Sequence, residues 1–291
     1  MNDKITHVIA REDNGNIQIT FTIPFAIIQK EEEEALKEFA KEIEVPGFRK
    51  GMAPIERVKD KVSQNDLIEH ALGHVLPKAL GDAITESKLQ IAIYPKFELI
   101  SAKDGEAWQI RGITCELPKF ELGDYKKAVA GEFRSASLVV PGKNDNDKGV
   151  MTREQKEQIA IKALLENTKI QIPQILIEEE ADSRLSSLLG RLEKLGLALE
   201  NYLASVGKKA EDLRADYANQ AREAISLDLI LTKIAEEENL KIDQKEVESA
   251  LNMSQVDKNA SQNPSDIENR KRLMESILRR RAALDFLIGL G

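Results

Sequence analysis

Cysteine is all but missing from this chain. Cys115 is the only one in 291 residues, which excludes an intramolecular disulfide framework and a cysteine-rich zinc site. Histidine is nearly as scarce, with three residues, so a centre built mainly from imidazoles has little to draw on. Aromatic residues make up 4% of the chain, too few to line a large aromatic pocket as the main working part. Bases are outnumbered by acids, 42 to 50, for a net charge of −8 and a pI near 5.3. That balance argues against a general polyanion binder, and any contact with nucleic acid must come from a local basic patch. No apolar run approaches the roughly 18 residues of a membrane span. The opening residues Met1 to Thr6 lack the apolar core of a signal peptide. A reduced, cytoplasmic setting without a membrane partner is therefore expected.

The familiar catalytic fingerprints are also missing. The sequence contains no G-x-x-x-x-G-K-[ST], no G-x-G-x-x-G and no G-x-S-x-G. Carboxylate pairs occur throughout and so diagnose nothing. Sequence reasoning assigns no catalytic residue, no metal ligand and no cofactor.

What is present is core material and periodicity. Hydrophobic residues reach 42% and charged residues 32%, and the length suits about two domains at roughly 150 residues each. Ile17, Ile19, Phe21 and Ile23 alternate with polar residues, the period-two pattern of a half-buried strand. Asp13-Asn14-Gly15-Asn16 supplies a turn ahead of it, with Thr6 to Ala10 as hairpin partner. Pro24 opens a helix whose acids Glu31 to Glu34 read as a solvated face and whose Leu36, Phe39, Ala40 and Ile43 form an apolar one. Helical spacing resumes with Ile55, Val58 and Val62, and runs from Leu67 to Ile84 with Pro77 as a kink or boundary. Strands are expected over Leu89–Tyr94, continuing towards Ile100, and over Ala107–Leu117. Together these elements indicate an α+β domain over residues 1–121.

Residues 122–150 read as a junction, because Pro141 to Gly149 is dense in turn formers and carries no periodicity. Residues 151–291 read as wholly helical. Thr152 and Gln155 form a capping-box pair, and Pro173 starts a helix that Gly196 ends. A short helix around Tyr202 stops at Gly207, and a long one spans Glu211 to Glu238. Asp243 caps another, and a last helix carries Ile267 to Leu287 beyond the polar stretch Ser254 to Ser265. Such amphipathic pieces can pack pairwise into an open, elongated body.

Three local features invite chemistry and fall short. His70 and His74 stand at i,i+4, but Ala71-Leu72-Gly73 between them breaks the H-E-x-x-H pattern, so boundary histidines are favoured over metal ligands. Cys115 has no activating neighbour in sequence and reads as a small buried hydrophobe. Asn144 to Gly149 resembles a calcium loop only superficially, since Gln155 falls where the bidentate Glu belongs.

One segment stands apart. In Gly47-Phe48-Arg49-Lys50-Gly51 a bulky apolar side chain and two cations sit between glycines, bracketed by Pro46 and Pro54. Prolines stiffen such a turn, while glycines permit tight geometry and close approach to another surface. Arg49, Lys50, Arg57, Lys59 and Lys61 against Glu56 and Asp60 make the segment locally +3 in an acidic chain. The tip suits docking on phosphates and an apolar protein pocket. Composition alone leaves a second reading open, a helix–helix connection whose Phe48 folds back onto the core.

Gly47-Phe48-Arg49-Lys50-Gly51-Met52-Ala53-Pro54 resembles the G-F-R-x-G-x-x-P signature of bacterial trigger factor, the chaperone family of the ribosomal exit tunnel. The order of hairpin, acidic helix, signature loop, helices and closing strands is similar to that family's ribosome-binding domain. Leu122-Gly123-Asp124-Tyr125 resembles its exit from that domain, and Ile172-Pro173 the start of its C-terminal helical arms. Met52 replaces a lysine frequent in the signature, which weakens the electrostatic part of docking. The family's FKBP-type prolyl isomerase domain would be inserted within 122–150, an interval far below the domain scale of about 100 residues.

The resemblance implies an ATP-independent chaperone without an isomerase domain. Gly47, Phe48, Arg49, Lys50 and Gly51 would contact a large-subunit protein and rRNA near the exit tunnel, and helical arms would hold nascent or unfolded chains in a folding- or export-competent state. Homodimerisation is left open. The rivals are a prolyl isomerase-type folding enzyme, a non-ribosomal periplasmic-type holdase, and a scaffold that docks ribosomes without protecting clients.

Overall fold

The computed structural model describes residues 4–46, 48–49, 51–103, 105–137, 151–254 and 264–290. The chain divides into two units: residues 1–117 with 173–176, and residues 118–172 with 177–291.

The first unit is built on a four-stranded antiparallel sheet of order β1-β2-β4-β3, from β1 (Thr6–Arg11), β2 (Asn16–Ile23), β3 (Lys96–Ser101) and β4 (Trp108–Cys115). The expected alternation holds on β2, where Ile17, Ile19, Phe21 and Ile23 are buried and their polar neighbours are not. In the register Phe21 stands opposite Ile110, and Ile19 opposite Gly112. A side chain at Gly112 would approach the Phe97 ring to 3.0 Å, so the missing Cβ makes room for that aromatic. Three helices complete the unit: α1 (Phe25–Glu42), α2 (Ile55–Lys59) and α3 (Gln64–Ser87). Ile28 of α1 and Val75, Leu76, Ala79, Leu80 and Ala83 of α3 pack on the sheet's inner face. Trp108 and Leu89 join that core.

Two expectations change here. The strand placed at Leu89–Tyr94 begins only at Lys96, and Ile91 makes no more than an isolated bridge to Glu116. The cause lies in the end of α3. Lys88 takes a left-handed conformation and the Leu89 N–H bonds back to Ile84 O, turning Leu89 into the core before the chain straightens past Pro95. The boundary reading of Pro77 is corrected, since α3 runs through it from a Ser63 cap that accepts the Asp66 N–H at 3.1 Å.

Among its described residues the second unit has helices and no strand: α4 (Tyr125–Ser137), α5 (Arg153–Asn167), α6 (Gln174–Lys194), α7 (Leu199–Val206), α8 (Ala210–Glu237), α9 (Gln244–Ser254) and α10 (Pro264–Ile288). Its main core joins Tyr125, Val129 and Phe133 of α4 to Ala160 and Leu164 of α5, Ile230 and Ile234 of α8, and Ala283 and Leu287 of α10. Helix α6 meets α8 through two smaller clusters, one around Ile177, Ala181 and Ala221, the other around Leu188, Leu192 and Leu213. The Thr152–Gln155 capping box forms in both directions. Gly196 and Gly207 take positive φ at the helix ends where the sequence places them.

The junction expected over 122–150 is corrected at its front half, where α4 stands. Tyr125, Val129 and Phe133 recur at four-residue spacing and are buried, a stripe only one residue wide whose partners come from α5, α8 and α10. Residues 138–150, which include the linker stretch and the calcium-loop resemblance, lie outside the described residues.

Candidate functional site

The signature segment rests on its own small core, separate from the sheet. Ala35, Leu36 and Ala40 of α1, Val45, Val58 of α2 and Leu67 of α3 are buried together, with Phe39, Ile43, Ala53 and Val62 packed around them. Helix α1 ends where Ile43 turns to extended backbone while its N–H still reaches Phe39 O at 2.8 Å. Two turns then shape the tip. Phe48 N–H donates to Val45 O at 3.1 Å, and Met52 N–H donates to Arg49 O at 2.9 Å. Gly51 N–H donates to Ala40 O at 3.1 Å, fastening the far side of the tip to α1. Gly51 does so with φ of +86°, a region that side-chain-bearing residues rarely enter. Pro54 then opens α2, where its missing N–H costs nothing, and Val58 anchors that helix at zero exposure.

This framework holds the tip and leaves Phe48, Arg49 and Met52 exposed. Phe48 is 45% exposed and takes no place in the core beneath it. Met52 at 74% and Ile55 at 41% extend the apolar surface beside it. Arg49, Arg57, Lys59 and Lys61 are exposed, and among the described residues none of them forms an ion pair. Of the five residues that the sequence singles out, Phe48, Arg49 and Gly51 come together in this way, while Gly47 and Lys50 lie outside the described residues. Sequence reasoning missed Met52 and Ile55 as surface groups. The signal was there, in apolar residues at positions 48, 52 and 55 along a segment otherwise made of cations and turn formers.

The Leu122–Tyr125 quartet performs a structural task in the second unit. Leu122 is buried, Gly123 takes φ of +62°, and Asp124 O accepts the Ala128 N–H at the start of α4. Tyr125 is buried with its hydroxyl donating to Glu238 Oε1 at 2.8 Å, and Lys126 Nζ reaches the same oxygen at 2.6 Å. Burial, then the adjacent carboxylate, pushes the Tyr125 phenol well above its ordinary range. The Lys126 and Tyr125 hydrogen bonds hold the Glu238 carboxyl below its ordinary value. Lys233 adds a hydrogen bond to Phe120 O. The same unit carries exposed large apolar residues away from its cores. Leu189, Leu195, Leu197 and Val206 cluster along the α6–α7 segment, and Met253, Leu273 and Ile277 lie on α9 and α10.

The remaining sequence candidates fall elsewhere. Cys115 is fully buried at the end of β4, and burial pushes its thiol up to about 11, so the thiolate that would react is suppressed. His70 and His74 share the α1-facing side of α3, where Glu38 Oε2 stands 3.3 Å from His70 Nε2 and 3.8 Å from His74 Nε2. That third group comes from another helix and is invisible to a search of one segment.

A family model described as bacterial trigger factor protein (TF) matches residues 6–136, and another described as bacterial trigger factor protein (TF) C-terminus matches residues 144–289. Trigger factor of Streptococcus agalactiae serotype Ia is 37% identical over 108 residues, 37% of this chain and 25% of that protein. Trigger factor of Streptococcus pyogenes serotype M5 is 31% identical over 142 residues, 49% of this chain and 32% of that protein. The chain therefore matches a third or less of the length of these curated relatives. A solved structure described under promiscuous substrate recognition in folding and assembly activities of the trigger factor chaperone superposes with a TM-score of 0.61 at 14% identity, covering 98% of this chain and 99% of that one. At that identity the likeness speaks for the fold. With one family model spanning half the chain and a second most of the rest, the protein belongs to the trigger factor family.

Proposed function

We propose that this chain is an ATP-independent chaperone that docks near the ribosomal exit tunnel through residues 47–51 and holds nascent or unfolded polypeptides on its helical unit. The observation that carries this reading is the exposure of Phe48, Met52 and Ile55 beside the uncommitted cations Arg49 and Arg57, on a tip fastened to its own core. A rigidly held apolar group next to free cations loses little order when a partner covers it. At about 1.5–3 kcal/mol for each fully buried side chain, covering what remains exposed of these three supplies about 2–5 kcal/mol. A micromolar complex needs about 8 kcal/mol, so the cations must supply a large share, paired with rRNA phosphates or acidic groups of a large-subunit protein. Attachment of this kind is reversible and salt-sensitive.

Residues 1–121 would form the docking domain and 151–291 the client-holding domain. The exposed apolar residues on α6, α7, α9 and α10 support the second assignment, because scattered, non-directional contacts suit varied unfolded segments and release them as they bury their own side chains. The two family matches end at residue 136 and resume at 144, an interval that cannot house a domain of about 100 residues, so we assign no prolyl isomerase activity. A cytoplasmic location follows from the ribosomal role. Among the described residues no helix is long and apolar enough to cross a membrane.

The test is aggregation of a chemically unfolded protein diluted into buffer with and without the full chain, in the absence of nucleotide. The chain is expected to suppress light scattering without ATP, and a variant carrying Leu195→Ser, Leu197→Ser and Leu273→Ser is expected to suppress it less. No suppression by the wild type, at any molar excess, would overturn the client-holding half of the proposal.

A further inference from the structure

We infer that Glu38, His70 and His74 form a binding site for a late first-row divalent metal ion, with Zn²⁺ the fitting occupant. The three side chains offer one ligand atom each, all within 4.8 Å of one another. They arrive from two helices. His70 and His74 lie one turn apart on α3, and Glu38 lies on the facing side of α1. Zinc bound by imidazole and carboxylate sits about 2.0–2.2 Å from each donor, which puts donors of a tetrahedral site roughly 3.3–3.6 Å apart. Glu38 Oε2 already stands at 3.3 Å from His70 Nε2 and 3.8 Å from His74 Nε2, so small side-chain rotations complete the set.

The surroundings select which atoms are free to ligate. His70 Nδ1 is shut away from solvent without a partner, and the Phe39 ring packs against the imidazole at a centroid distance of 4.9 Å. That leaves Nε2, the nitrogen facing Glu38. On His74 the opposite nitrogen, Nδ1, has the Glu31 carboxylate 4.0 Å away. A carboxylate behind a metal-binding imidazole orients the ring and raises its basicity, and a side-chain rotation that brings Glu31 within hydrogen-bond reach of Nδ1 would put it in that place. Glu31 and Glu38 are seven residues apart on α1, two turns along the same side. Two neutral nitrogens and one carboxylate oxygen, with the fourth position left to water, are a donor set for zinc, cobalt or nickel rather than for calcium or magnesium. Glu38 and His74 are exposed to solvent, which gives an ion its entry. A bound ion would pin α1 to α3 alongside the core that carries the signature tip.

The experiment uses the full chain, titrated with Zn²⁺ by calorimetry and with Co²⁺ followed by its visible d–d absorption. One equivalent of each is expected to bind, and Zn²⁺ is expected to raise the thermal unfolding midpoint. His74→Gln, with its exposed position, should keep the fold by circular dichroism and lose at least tenfold in affinity together with the zinc-induced rise in midpoint. Glu31→Gln should lose about tenfold, the lower end for an outer-sphere partner. His7→Gln, which removes the histidine outside the cluster, should bind as the wild type does. Absence of wild-type binding, equal affinity in wild type and His74→Gln, or loss of binding in His7→Gln would each overturn the assignment.

Discussion

At Gly51 the φ angle of +86° sets the requirement for glycine, because a Cβ there would meet no atom within 4 Å. Gly51→Ala should therefore destabilise by about 1 kcal/mol through backbone conformation alone. It should also loosen the N–H bond to Ala40 O that positions the tip. Gly81 supplies the contrast. It lies exposed inside α3 with equally open space and no positive φ, so Gly81→Ala should stabilise by about 0.5–1 kcal/mol. Opposite shifts in thermal midpoint from the same chemical change would separate conformational demand from steric demand, and shifts of equal sign would contradict it. The glycine–proline punctuation of this segment was legible in the sequence. The choice between an outward and an inward Phe48 was not, because it depends on whether Ala35, Leu36, Ala40 and Val58 already fill the space beneath the tip.

Among the elements, periodicity located the long helices of the second unit and the hairpin to within a few residues, since each carries its own broad stripe. Helix α4 escaped for a physical reason. Its buried stripe of Tyr125, Val129 and Phe133 gains partners only from distant helices, and Gly131 with its charged neighbours masks it locally. The cluster of Glu38 with His70 and His74 escaped for the same reason, because α1 and α3 meet only in the fold. The contact that fixes α4 gives a pH prediction. The Glu238 carboxyl titrates below its ordinary 4.5 in the folded chain, so its hydrogen bonds with Lys126 and Tyr125 add stability above that value. That stability is lost as pH falls through the depressed folded value. Tyr125→Phe should lower the thermal midpoint by a few degrees near neutrality, and the gap from wild type should narrow progressively below pH 4.5. Thermal scans across that range check it, and a gap independent of pH would remove Glu238 from the account.

Over the whole molecule, an acidic chain of net charge −8 exposes a small cationic and apolar tip in one unit and scattered apolar residues in the other. The tip runs against the charge of the chain. Bulk attraction to rRNA is therefore absent, and docking must depend on a few residues. The most direct test is co-sedimentation of the full chain with purified ribosomes over a salt series, wild type against Phe48→Ala/Arg49→Ala/Lys50→Ala. The wild type is expected to pellet at low salt and to be released as salt rises. The triple variant, folded by circular dichroism, is expected to remain mostly in the supernatant. Equal pelleting of the two proteins at every salt concentration would contradict the proposed docking through this tip.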